Sequence, residues 1–111
     1  MTRSLLSRSA GALMRCLLER AGNDRNRILL SSWLSVDWQS LTFVGERHQA
    51  SFRLTGPNAM ALARRWTDGI EDAELAVGKG LFVAELAVSG RPMVEADGSV
   101  SVSLEALTLA D

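Results

Sequence analysis

The hydrophobic period of this chain switches from about 3.6 residues to 2, back to 3.6 and again to 2. A chain patterned this way must house helices and half-buried strands in one fold, in the order helix, hairpin, helix, hairpin. Over 3–21, Leu6, Ala10, Leu13, Met14, Leu17 and Leu18 recur at three- and four-residue spacing, which predicts an amphipathic helix. Thr2 or Ser4 can cap its start, and Gly22-Asn23 supplies a left-handed stop. A second stripe, Ala59, Leu62, Ala63 and Trp66, follows Pro57-Asn58 and ends at Gly69.

Between the helices the period is two. Leu34, Val36 and Trp38 alternate with Ser35, Asp37 and Gln39, and the phase slips near Ser40, after which Leu41 and Phe43 carry the apolar side. Gly45-Glu46 fits a two-residue hairpin turn, with the return strand running from His48 to Leu54. That register pairs Leu41 with Ala50 and Phe43 with His48. In the last third, Phe82, Ala84, Leu86 and Val88 alternate with Val83, Glu85 and Ala87. Gly90-Arg91-Pro92 breaks the strand, Asp97-Gly98 marks a turn, and Val100, Val102, Leu104 and Ala106 alternate with polar residues.

The expectation is an α+β fold of αββαββ order. Two amphipathic helices pack on one face of an antiparallel sheet of four or five strands. With 111 residues, 47% of them hydrophobic, one core and a single domain over 1–111 are expected, and disorder is excluded. The halves 3–55 and 57–109 share an αββ order. Their residue matches are short, and repeated patterning explains them more simply than duplication.

The sheet face turned away from the helices then shows Ser35, Asp37, Gln39, Ser51, Arg53, Glu85, Ser101 and Ser103, together with Trp33, Val83 and Ala87. That mixture suits a second copy of the chain, and sheet edges also want covering, so a homodimer is expected, joined through this face or by edge pairing, with Trp33, Arg53 and Val83 at its interface.

Charge is uneven. Residues 1–27 hold six arginines against Glu19 and Asp24, giving +4, and the remainder carries −5. The basic start resembles a mitochondrial presequence in composition, yet it supplies apolar surface that the core can use, so a retained structural helix is expected. The acidic remainder repels polyanions, which argues against nucleic acid or an anionic membrane as partner. No apolar run approaches the ~20 residues of a membrane span. Cys16 is the only cysteine. A disulfide-free chain fits a reducing cytoplasm, and a buried filler is the plain reading of that thiol. Lys79 is the only lysine, a bias typical of GC-rich bacterial coding.

Few residues offer chemistry. His48 is the only histidine, placed by strand parity on the apolar side; with Arg47 it is the candidate for a small-ligand pocket between helices and sheet. No nucleophile elbow is present, so no catalytic grouping is expected. Val77-Gly78-Lys79-Gly80 lacks the spacer and hydroxyl of a phosphate loop. One histidine, one cysteine and a solvated acidic connector (Asp68, Glu71, Asp72 and Glu74) supply no metal-ligand spacing, so neither metal nor cofactor is expected. The function expected is that of a non-catalytic assembly or protein-interaction module, the alternative being a small-molecule binder or enzyme with its pocket near His48.

Overall fold

The computed structural model describes residues 6–110. Helix α1, Arg8–Arg20, starts later than the pattern predicts because Ser7 takes the cap: its Oγ accepts from the Ala10 N–H at 3.1 Å. Thr2 and Ser4, the expected caps, lie outside the described residues. Ala10, Ala12, Leu13, Cys16 and Leu17 form the buried stripe of α1. Gly22 ends the helix with φ +60°, a conformation open to glycine without a Cβ penalty, and a 3-10 segment, Gly22–Arg27, follows.

Strand β1, Ile28–Gln39, and strand β2, Val44–Leu54, form an antiparallel hairpin in which Gln39 faces Val44. The turn is therefore at Ser40–Phe43, and the expected Gly45-Glu46 turn with its Leu41–Ala50 and Phe43–His48 pairs is corrected. Ser40 explains the shift. Its Oγ accepts from the N–H groups of Thr42 (3.3 Å) and Phe43 (3.0 Å), while its own N–H donates to the Phe43 carbonyl at 2.9 Å. Gly45 serves a different end. A Cβ there would collide with the Thr108 carbonyl and crowd the Leu109 side chain, so the glycine admits a neighbouring strand.

Helix α2, Ala59–Thr67, buries the predicted Ala59, Leu62, Ala63 and Trp66. Strands β3, Leu81–Val88, β4, Met93–Val94, and β5, Val100–Ala110, complete a five-stranded sheet. Its order is β1-β2-β5-β3, with β4 also pairing to β5, and every pairing is antiparallel. β5 thus returns between two strands made before it. Both helices cover one face, and the core is α1 and α2 against Ala50, Phe52, Leu54, Leu86, Val100, Val102, Leu104 and Ala106. Aromatic edges lock it: Trp66 meets Phe52 at 5.1 Å, Phe52 meets Trp33 at 6.2 Å, and the Trp66 indole N–H donates to the Leu17 carbonyl at 2.8 Å.

Two bulges change which residues face that core. In β1 the register shifts between Leu30 and Ser32, so Ile28 opposite Leu54 and Trp33 opposite Ala50 reach the same face although five residues apart. In β3 a shift between Val83 and Glu85 places both Val83 and Leu86 on the helix side. Trp33 and Val83 are therefore packed against the core, which corrects their expected position on the open face. Ser35, Asp37 and Gln39 change sides with Trp33; Leu34, Val36 and Trp38 take the open face instead. Arg53, Ser51, Glu85, Ala87, Ser101 and Ser103 do lie on that open face, by register with those residues.

Candidate functional site

His48 sits on β2 at the helix side of the sheet and is 1% exposed. Its parity forces it inward, between Ala50 and Glu46, and cross-strand partners complete its surroundings: Ser35 on β1 and Ala106 on β5. Ser35 Oγ lies 2.8 Å from Nδ1, and Thr108 Oγ1 lies 2.8 Å from Nε2. The Trp33 indole N–H is 3.0 Å from Ser35 Oγ and 3.3 Å from Nδ1. The indole N–H, shared between Ser35 Oγ and Nδ1, suits the tautomer in which Nδ1 accepts and the ring proton is on Nε2. The proton sense then runs one way. Trp33 donates to Ser35, Ser35 to Nδ1, and Nε2–H to Thr108, whose hydroxyl donates to the Glu46 carbonyl at 3.4 Å.

Burial pushes the His48 imidazole below its ordinary pKa, and the neighbouring Glu46 carboxylate offsets part of that. The ring is neutral at pH 7. Ser35 beside a neutral imidazole has the atoms of a nucleophile–base pair. Both ring nitrogens, however, are held by hydroxyls of the protein's own sheet, and Ser35 Oγ also accepts from the Trp33 indole N–H. The arrangement orients and satisfies a buried ring.

Glu46, next along β2 on the same face, ties the sheet to α1. Its carboxylate accepts from Ser7 Oγ at 2.6 Å and from Ser9 Oγ. Burial raises its carboxyl pKa, but those two hydroxyls and His48 outweigh burial and leave it below the usual carboxylate range. The negative charge also meets the positive end of the α1 dipole. An open cleft of about 620 Å³ lies against this corner, lined by Ser7, Ser9, Asp37, Gln39 and Thr108 among others.

Arg47 points to the opposite face, so the structure separates it from His48; the two do not share a pocket. Arg47 pairs with Glu85 at 3.5 Å across Leu107, which is buried beneath them. Arg53 pairs with Asp97 and donates to Ser99 Oγ at 3.0 Å. The Ser99 hydroxyl and backbone N–H, with Arg53 adding, hold the Asp97 carboxyl at about 2. Three arginines of the basic segment are likewise occupied at home. Arg20 donates to the Trp66 carbonyl at 2.7 Å, Arg27 to the Thr55 carbonyl at 2.8 Å, and Arg8 to the Lys79 carbonyl at 3.2 Å. Burial pushes the Cys16 thiol up, with Arg15 opposing, and its Sγ–H reaches the Ala76 carbonyl at 3.3 Å.

The open face is apolar along one margin. Leu34 is 57% exposed and Val36 54%, and with Trp38, Arg47 and Gln49 they frame a hollow of about 250 Å³. At the turn end of the hairpin, Phe43 and Phe82 meet edge to face at 6.1 Å. The middle of this face is polar, with Gln49 opposite Glu105 and Ser51 Oγ 3.0 Å from Ser103 Oγ. Sequence reasoning missed this margin, because the β1 bulge that exposes it has no glycine or proline to announce it. No helix among the described residues is long and apolar enough to cross a membrane. No protein-family model and no curated protein matches the chain.

Proposed function

We propose that this chain is a non-catalytic assembly module that works as a homodimer, joined at the side of the sheet that carries no helix, through its face or by pairing of its β1 edge. One observation supports the reading above the others: Leu34, Val36 and Trp38 stand together on the uncovered side of β1, with the Phe43–Phe82 pair beyond them. Large apolar side chains grouped on one margin of an open sheet mark a contact surface. Sizing with light scattering across a wide dilution series tests it. The expected mass is that of two 12.0 kDa chains, and a single-chain mass throughout would overturn the proposal.

A small-ligand role has one observation in its favour, the cleft beside Glu46 and Asp37. His48 would not touch such a ligand, because the sheet seals it. Thermal-shift screening of the native chain and of Glu46→Gln separates the two readings: a metabolite whose stabilisation vanishes in the variant favours the ligand.

A further inference from the structure

We infer that the second copy is joined through the free edge of β1, antiparallel to itself about a two-fold axis at Ser35, so that two sheets become one. This rests on the homodimer reading and specifies how the dimer is made.

The two edges of the sheet are built differently. The β3–β4 edge is interrupted twice: by the bulge at Ala84, and by the break at Gly90-Arg91-Pro92, where β3 gives way to the two-residue β4. Such breaks are devices that discourage strand addition. β1 has twelve residues, no proline, no lysine and a single charge, Asp37. Among the described residues, no strand pairs with its outer side.

Its polar backbone groups can be placed. The Ser40 N–H bonds the Phe43 carbonyl at 2.9 Å, and at the other end the Thr55 N–H bonds the Arg27 carbonyl at 2.9 Å. In an antiparallel ladder these bonds flank wide pairs, which makes Gln39–Val44 and Ile28–Leu54 both wide. Alternation from either end agrees once the bulge is counted. The N–H and C=O groups of Trp33, Ser35, Asp37 and Gln39 therefore point away from β2, toward the free edge.

Those outward groups select the register. The straight run past the bulge is 32–39, about 27 Å of strand. Centring the two-fold on Ser35 uses nearly all of it and pairs outward residues with outward residues: Ser35 with Ser35, Trp33 with Asp37. On the open face Leu34 then stands beside the second copy's Val36, and Val36 beside its Leu34, so two apolar margins merge into one. The two Asp37 carboxylates stay four residues apart. Centring on Asp37 would set like charges directly opposite, which is unfavourable.

Asp37→Pro tests the inference. The Asp37 N–H faces the free edge, so proline there removes no β1–β2 hydrogen bond while blocking strand addition. The expected result is a folded monomer, judged by circular dichroism and light scattering, beside a dimeric parent. The double variant Leu34→Cys, Val36→Cys gives an independent reading that does not depend on how proline is tolerated. It should oxidise to a covalent dimer that reductant splits. A parent dimer whose proline variant stays dimeric and whose cysteines fail to cross-link overturns edge pairing and leaves the homodimer standing. A monomeric parent overturns both.

Discussion

On its helix side the sheet presents Phe52, Leu54, Val102 and Leu104, each sealed under α1 and α2. On its other side it presents Leu34, Val36 and Trp38, which the described helices do not reach. Residue chemistry does not separate these sets; both are aliphatic and aromatic side chains on alternating strand positions. What separates them is the density of partners. Phe52 has Trp33 on one edge and Trp66 on the other, whereas Leu34 and Val36 border an open hollow. The same kind of side chain is therefore expected to act on folding on one face and on association on the other.

The sharpest way to break this contrast is truncation. Phe52→Ala should cost about 3–5 kcal/mol of folding stability through lost burial and the cavity left behind, measured by denaturant unfolding. Val36→Ser should leave the stability of the isolated chain within about 0.5 kcal/mol, since it alters an exposed surface position, and weaken only association. Equal unfolding costs for the two would dissolve the distinction.

A second contrast sets His48 against Arg47, neighbours in sequence on opposite faces. His48→Leu strands the Ser35 and Thr108 hydroxyls and should cost about 1–3 kcal/mol at pH 8. Arg47→Ala breaks an ion pair whose side chains are 44% and 61% exposed, and should cost about 0–1 kcal/mol. The pH dependence has a definite sign. Because the folded His48 pKa is lowered below 6.5, its stabilising contribution is complete above 6.5 and is lost as pH falls through the folded value. The gap between the parent and His48→Leu should therefore narrow on acidification below 6.5. Glu46, also lowered, acts in a separate window: its contribution is present above 4.5 and is lost below it, so Glu46→Gln should converge with the parent only in stronger acid.

Two glycines give a third test. Gly45→Ala forces a Cβ onto the Thr108 carbonyl and should destabilise by about 1–3 kcal/mol. Gly11 lies inside α1 with open space around its Cβ position, so Gly11→Ala should stabilise by about 0.5–1 kcal/mol through helix propensity. Thermal melts of both variants check the opposite signs.

Local pattern carried much of the architecture. The stripes of α1 and α2, the α+β plan of a four- or five-stranded antiparallel sheet with both helices on one face, and the inward parity of His48 were legible because they rest on spacing within single segments. The His48 site was only half legible. Its burial follows from alternation along β2, but its partners Ser35 and Thr108 come from two other strands, and only pairing brings them to 2.8 Å. The Glu46 clamp on Ser7 and Ser9 joins residues 39 and 37 positions apart, beyond the reach of any local rule.

By itself the sequence determined where the helices and the long strands would lie, the turn between β1 and β2 excepted, and which faces of α1, α2, β2 and β5 would be buried, since periodicity is a property of the segment alone. Only the tertiary structure decided which faces of β1 and β3 meet the core. A one-residue bulge inverts every later side chain at little local cost. Its position is chosen by the contacts it enables: Trp33 against Phe52 and His48, and Val83 with Leu86 against the helix side of β5.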